Sequence, residues 1–115
     1  MNPQDFVDAL RQVVMSAAVT DVVSMVERPP GRRPAAELLQ LSGWYNSLTE
    51  DKREMVRRLS ELVARHAVFG VLSVLDGARQ IEPEGAKGHL ELRYVKDGAE
   101  EVLSGPAGVA LHELL

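Results

Sequence analysis

Cysteine is absent from this chain, which excludes a disulfide framework, a thiol nucleophile and thiolate-based zinc sites. Aromatic residues are scarce, with one Trp, two Tyr and two Phe, so a core must be assembled chiefly from Val, Leu and Ala. Long hydrophobic runs are missing too. The longest, Ala67 to Leu75, is interrupted by Gly70 and Ser73 and falls short of the roughly 20 residues of a membrane span. The opening Met1-Asn2-Pro3-Gln4-Asp5 lacks the basic and apolar regions of a secretory signal, so a cytoplasmic protein without a membrane partner is expected. No His-Glu-x-x-His, Gly-x-Ser-x-Gly or phosphate-cradling glycine loop occurs. The expectation is a non-enzymatic protein with no cofactor, no metal and no catalytic residue.

What remains is the composition of an ordinary folded chain: 115 residues, 45% hydrophobic and 26% charged. That length suits a single domain, 1–115, with a helical part over 1–77 and a β part over 78–115. The net charge of −4 is unevenly placed. Residues 1–75 carry nine acidic and nine basic side chains, whereas residues 76–115 carry eight acidic and four basic. An acidic surface disfavours nucleic acid and suits a basic protein partner through electrostatic steering.

The first helix is signalled by Asn2 as N-cap, Pro3 at its first position and Asp5 in its first turn, and it extends to about Val26. Its apolar face changes along the way. Phe6, Leu10, Val13 and Ala17 share one side, but beyond Ala17 that side receives Thr20, Asp21 and Ser24. Met15, Val19, Val22 and Val26 lie elsewhere. Either the helix bends near Ala17 or its halves pack on different things, and Met15, Val19, Val22 and Val26 form a candidate dimer face.

Glu27 to Pro34 is a Pro/Gly loop bearing Arg28, Arg32 and Arg33. A second helix begins at Pro34 and runs through Leu41 toward Tyr45. A third is signalled from about Glu50 to Asp76, with Ser47-x-x-Glu50 matching a capping box and Gly77 placed to end it. Along this long helix Met55, Leu59, Leu62, His66, Phe69 and Ser73 share a face, which reads as buried. The opposite arc is charged through Arg65 and then turns apolar at Val68, Val71, Leu72 and Leu75, so something must cover the helix on both sides after His66.

After Gly77 the pattern becomes that of strands. Arg79 to Glu82 reads as a short one. Leu90, Leu92 and Tyr94 alternate with Glu91 and Arg93, Asp97-Gly98 is a hairpin turn, and Glu101-Val102-Leu103 returns. Val109 to Leu115 closes the chain as a helical turn. The fold class is therefore α+β: about three N-terminal helices, the long one centrally buried, then a small antiparallel sheet whose apolar face covers Val68, Val71, Leu72 and Leu75.

Candidate functional residues are few. His66, His89 and His112 show no ligand spacing. Asp76, Glu82 and Glu84 gather at a turn and read as solvated. Trp44 and Tyr45 are residue types that dominate binding hot spots, and also the types that plug helix junctions. With Glu91, Arg93, Glu100 and Glu101 of the hairpin they make the candidate partner-binding set. A pocket near His66 and Asp76 is the small-molecule or enzymatic alternative.

Trp44-Tyr45-Asn46-Ser47-Leu48, Phe69-Gly70 leading to Val74-Leu75-Asp76-Gly77, Leu90-Glu91-Leu92 and Leu111-His112-Glu113-Leu114 together resemble a group of small uncharacterised bacterial proteins. The resemblance spans about residues 37–115 and implies no activity. Small acidic bacterial proteins of this kind often serve as immunity or antitoxin partners, which suggests a protein that binds and occludes a basic toxin or effector. A homodimeric structural or regulatory protein is the rival reading.

Overall fold

Two antiparallel helices carry the molecule, and everything else is attached to their ends. The computed structural model describes residues 1–83, 85 and 88–115. It contains α1 (Pro3–Glu27), α2 (Ala36–Ser47), α3 (Glu50–Leu75), an antiparallel hairpin of β1 (Leu92–Lys96) and β2 (Ala99–Ser104), and a short α4 (Leu111–Leu114). This is the α+β architecture expected, helices first and a small sheet last. Glu84, from the carboxylate group singled out in the sequence, lies outside the described residues.

Helix α1 starts as its sequence dictates. The Asn2 side chain accepts from the Asp5 main-chain N–H at 2.8 Å, and the Asp5 carboxylate accepts from the Asn2 N–H at 3.2 Å, a reciprocal capping box. The change of face has a definite cause. From Leu10 to Met15 the helix widens to a π turn, in which the Ser16 N–H donates to the Arg11 carbonyl five residues back. A π turn absorbs about one extra residue, which is worth roughly 100° of helical phase. Without it, Val7 and Val19 would be about 120° apart; with it, they fall within about 20°. Val7, Leu10, Met15, Val19, Val23 and Val26 therefore point to one side and pack inside the chain. The proposed dimer face dissolves accordingly: Val19 is buried, Met15 and Val26 pack on the chain's own cores, and only Val22 is open to solvent.

The halves of α1 serve two small cores. Near its N-terminus Val7 packs with Leu72 of α3 and with Leu111 and Leu115. Near its C-terminus Val19 and Val23 pack with Tyr45 of α2, supported by Val56 and Ala64 of α3. By length and composition alone α1 is apolar enough to cross a membrane, although the sequence shows no unbroken run; Val7, Val19 and Val23 are nonetheless committed to these cores.

Helix α2 extends further than its sequence suggests, through Ser47, and inserts Ser42 and Tyr45. The α2–α3 corner is not built as a capping box. The Ser47 hydroxyl donates to the Trp44 carbonyl at 2.6 Å, and Thr49 is the N-cap of α3 without a side-chain bond. Arg53 ties the corner instead, donating to the Asn46 carbonyl at 2.7 Å while its guanidinium lies 5.7 Å from the centre of the Tyr45 ring.

Helix α3 ends where Gly77 permits. Gly77 is left-handed at φ 75°, its N–H donates to the Val74 carbonyl, and the Ala78 N–H reaches back to Ser73 at 2.8 Å, a Schellman ending. Residues 79–82 form no strand. The hairpin turn uses Asp97 at φ 51° and Gly98 at φ 80°, the paired positive values of a type I′ turn. A bulge between Leu92 and Arg93 places both Leu103 and Ser104 in the interior. Leu72 is covered by α1 and α4 together with Leu92 of β1, Val68 and Leu75 pack on the same core, and Val71 is left exposed. Arg11 and Arg65 fasten the last turn: Arg11 donates to the carbonyls of Leu114 (2.8 Å) and Leu115, and Arg65 donates to that of Leu115 (3.1 Å). These are the orphan carbonyls of a helix end.

Candidate interaction surface

Asp76 gathers three hydrogen bonds from two distant segments of the chain. Its carboxylate accepts from the Ser104 hydroxyl at 2.8 Å, the His112 main-chain N–H at 2.8 Å and the His112 ring Nδ1 at 2.7 Å. The side chain is 4% exposed. Burial raises the pKa of this carboxyl, but the bonds from His112, Leu111 and Ser104 outweigh it and hold the group below its ordinary range. The His112 ring stands edge-on to Phe69, with ring centres 5.5 Å apart. Serine, aspartate and histidine thus meet, but the carboxylate sits between the other two. A nucleophilic triad needs histidine between serine and carboxylate so that it can take the hydroxyl proton. Here every bond converges on Asp76, which joins the end of α3 to the hairpin and to the start of α4. It is a structural bracket.

The pocket expected around His66 and Asp76 is not assembled. His66 is exposed beside a shallow depression of about 360 Å³ that also involves Gly70 and Arg79, while Asp76 is enclosed with Ser104 and His112. Among the described residues no group of three His, Asp or Glu side chains is placed to hold a metal ion.

The hairpin charges are engaged with one another. Arg93 pairs with Glu100 at 2.7 Å and with Glu91 at 2.6 Å, and Glu101 lies 3.6 Å from the amino group of Met1. Trp44 and Tyr45 part company: Tyr45 is 2% exposed and plugs the core, whereas Trp44 is 54% exposed. Arg28, Arg32 and Arg33 are all exposed.

The feature the sequence misled on is the packed face of α3. The row turned into the molecule is Arg53, Val56, Ser60, Ala64, Val68 and Leu72, all buried or half-buried. Small side chains at Ser60 and Ala64 let α1 approach closely, and the Ser60 hydroxyl satisfies itself on the Val56 carbonyl at 2.8 Å. The apolar row read as buried faces out. Met55 is 60% exposed, Leu59 62%, Leu62 53% and Val63 61%. Completing their burial would contribute roughly 1–2 kcal/mol each. Val14, Val22 and Met25 of α1, and Leu41 and Trp44 of α2, are exposed as well. Between α1 and α3 lies an open groove of about 740 Å³ with a mixed lining that includes Met15, Val19, Thr20, Arg57 and Arg58, and Leu62 belongs to that lining as well.

Overall dimensions agree with this open construction. The accessible surface is 8387 Å², against about 6,200 Å² for a compact monomer of this mass. The radius of gyration is 18.5 Å, against about 13 Å. No family model, curated protein or solved structure matches the chain.

Proposed function

We propose that this chain is a non-enzymatic, cytoplasmic protein-interaction module whose working surface is the open apolar face of its helices. One observation carries the reading: four neighbouring large apolar side chains on α3, Met55, Leu59, Leu62 and Val63, each more than half exposed. A contiguous patch of this kind on a soluble chain marks a contact site. Trp44, half-exposed on α2, is a second anchor of the type that dominates binding energetics. The bracketing role of Asp76 supports the non-enzymatic part, since its serine and histidine neighbours are consumed in holding the fold.

An immunity-type role, in which the acidic hairpin steers a basic partner, draws less support. Arg93 already neutralises Glu91 and Glu100, and an apolar helical face favours a lasting contact over electrostatic capture. Oxidative footprinting of the protein in extracts of its own cells tests the proposal. Met55 and Leu59 are expected to be protected relative to the same residues in an isolated 50–66 peptide. Labelling at the rate of the free peptide would mean that nothing covers the face, and the proposal would fail.

A further inference from the structure

Resting on the interaction reading above, we infer that the partner covering this face is a second copy of the same chain, the two copies meeting along Met55, Leu59, Leu62 and His66 of α3. The row runs Met55, Leu59, Leu62, His66, Phe69 in alternating steps of four and three residues, the spacing of a helix-on-helix seam. Such a row is self-complementary: a copy related by a two-fold axis presents the same knobs and holes.

The areas agree. Over its whole surface the chain exposes about 2,200 Å² more than a compact monomer of its mass, which leaves ample room for the roughly 800 Å² that each partner gives to a standard interface. A lipid surface fits less well. Asp51, Glu54 and Glu61 are interspersed with Lys52, Arg57, Arg58 and Arg65 on the exposed side of the helix, so the flank offers an anionic membrane no uniformly basic face. Asp51, Lys52 and Arg58 beside the row carry both signs, so a second copy meets no uniformly like-charged rim.

Sedimentation equilibrium on the full chain, from nanomolar to high micromolar concentration, tests this directly. The expected species has twice the 12.6 kDa chain mass. Leu59→Glu with Leu62→Glu should weaken association at least 100-fold while far-UV circular dichroism keeps its helical signal, because both side chains are exposed in the single chain. Val95→Glu, comparably exposed on the hairpin, should leave the mass unchanged. Because the chain has no cysteine, Leu62→Cys should give a disulfide-linked dimer on mild oxidation and Val95→Cys should not. The cysteine result decides alone if the double variant fails to fold.

A wild-type monomer at every concentration overturns the inference. If that monomer sediments with phosphatidylserine vesicles, the occupant is lipid. If its Met55 is protected by a different protein, the interaction reading survives without the second copy. A dimer untouched by the Leu59/Leu62 variant and not trapped through Leu62→Cys also overturns it.

Discussion

Trp44 and Tyr45 are adjacent in sequence, yet truncating them should have very different consequences. Tyr45 is 2% exposed and packs among Val19, Val23 and Val56. Removing a large buried aromatic side chain costs about 3–5 kcal/mol, combining lost transfer energy with the cavity left behind. Tyr45→Ala also deprives the Arg53 guanidinium of the ring beneath it, worth roughly 0.5–1 kcal/mol at a partly open site. A chain of this length is expected to have about 6–17 kcal/mol of stability in total, so a loss near 4 kcal/mol is a large fraction. Trp44 is 54% exposed, and Trp44→Ala should cost about 1 kcal/mol or less. Urea unfolding followed by circular dichroism would measure both. It should be run at one fixed protein concentration, because self-association would stabilise the folded state by mass action. A Tyr45→Ala cost below about 1 kcal/mol, or equal costs for the two variants, would refute the assignment of Tyr45 as the plug of the second core.

Two further predictions concern Asp76 and the π turn. Because the folded-state pKa of Asp76 is depressed, its contribution is fully present above the unfolded value of about 3.9 and disappears as pH falls through the folded one. Wild-type stability should therefore drop in acid, Asp76→Asn should lower stability at pH 7 by about 1.5–3 kcal/mol, and the variant's acid slope should be shallower; parallel slopes would contradict the bracket. Deleting Val13, which is exposed within the widened turn, should convert that turn to a regular α-helix and keep the fold. Deleting Thr20 from the regular part should rotate Val23 and Val26 away from their core by about 100° and lower the melting temperature sharply. Equal effects of the two deletions would rule out the phase argument.

Most elements were legible because each has a local cause, although the strand expected over residues 79–82 does not form. Asn2-Pro3 starts α1, Gly77 ends α3 and Asp97-Gly98 turns the hairpin through main-chain requirements that no tertiary contact needs to supply. The discontinuity in α1 was legible too, as an apolar face that changes near Ala17, although only the hydrogen bond from Ser16 to Arg11 reveals that it is a π turn. The packed face of α3 was legible only in its last turns, at Val68, Leu72 and Leu75, and not from Arg53 to Ala64. Periodicity reports which row is apolar, whereas close packing against α1 selects the row with small side chains at Ser60 and Ala64. The convergence on Asp76 was equally hidden, because Ser104 and His112 lie 28 and 36 residues away and nothing local marks them as partners. The proposed contact site is half visible in the sequence: Trp44 is of the type that dominates binding hot spots, whereas the spacing of Met55, Leu59 and Leu62 reads as interior.

That misassignment bears on function. A sequence carries apolar residues at helical spacing because some surface must cover them, and the pattern does not say whether that surface belongs to the same chain. In α3 the two demands are met by two different rows. Val56, Ser60 and Ala64 face the chain's own core, and Met55, Leu59 and Leu62 face outward with the larger side chains. Two small cores anchored by Leu72 and Tyr45 give each half of α1 only a few buried contacts. The open face is thus the outer side of α3 at the level of the second core, where Val56 and Ala64 pack inward while Met55, Leu59, Leu62 and Val63 face out. A partner docking there would brace the helix that both cores share. Folding stability and partner binding should therefore be linked, and agents that separate the partners should lower the unfolding midpoint in proportion to the apolar area they re-expose.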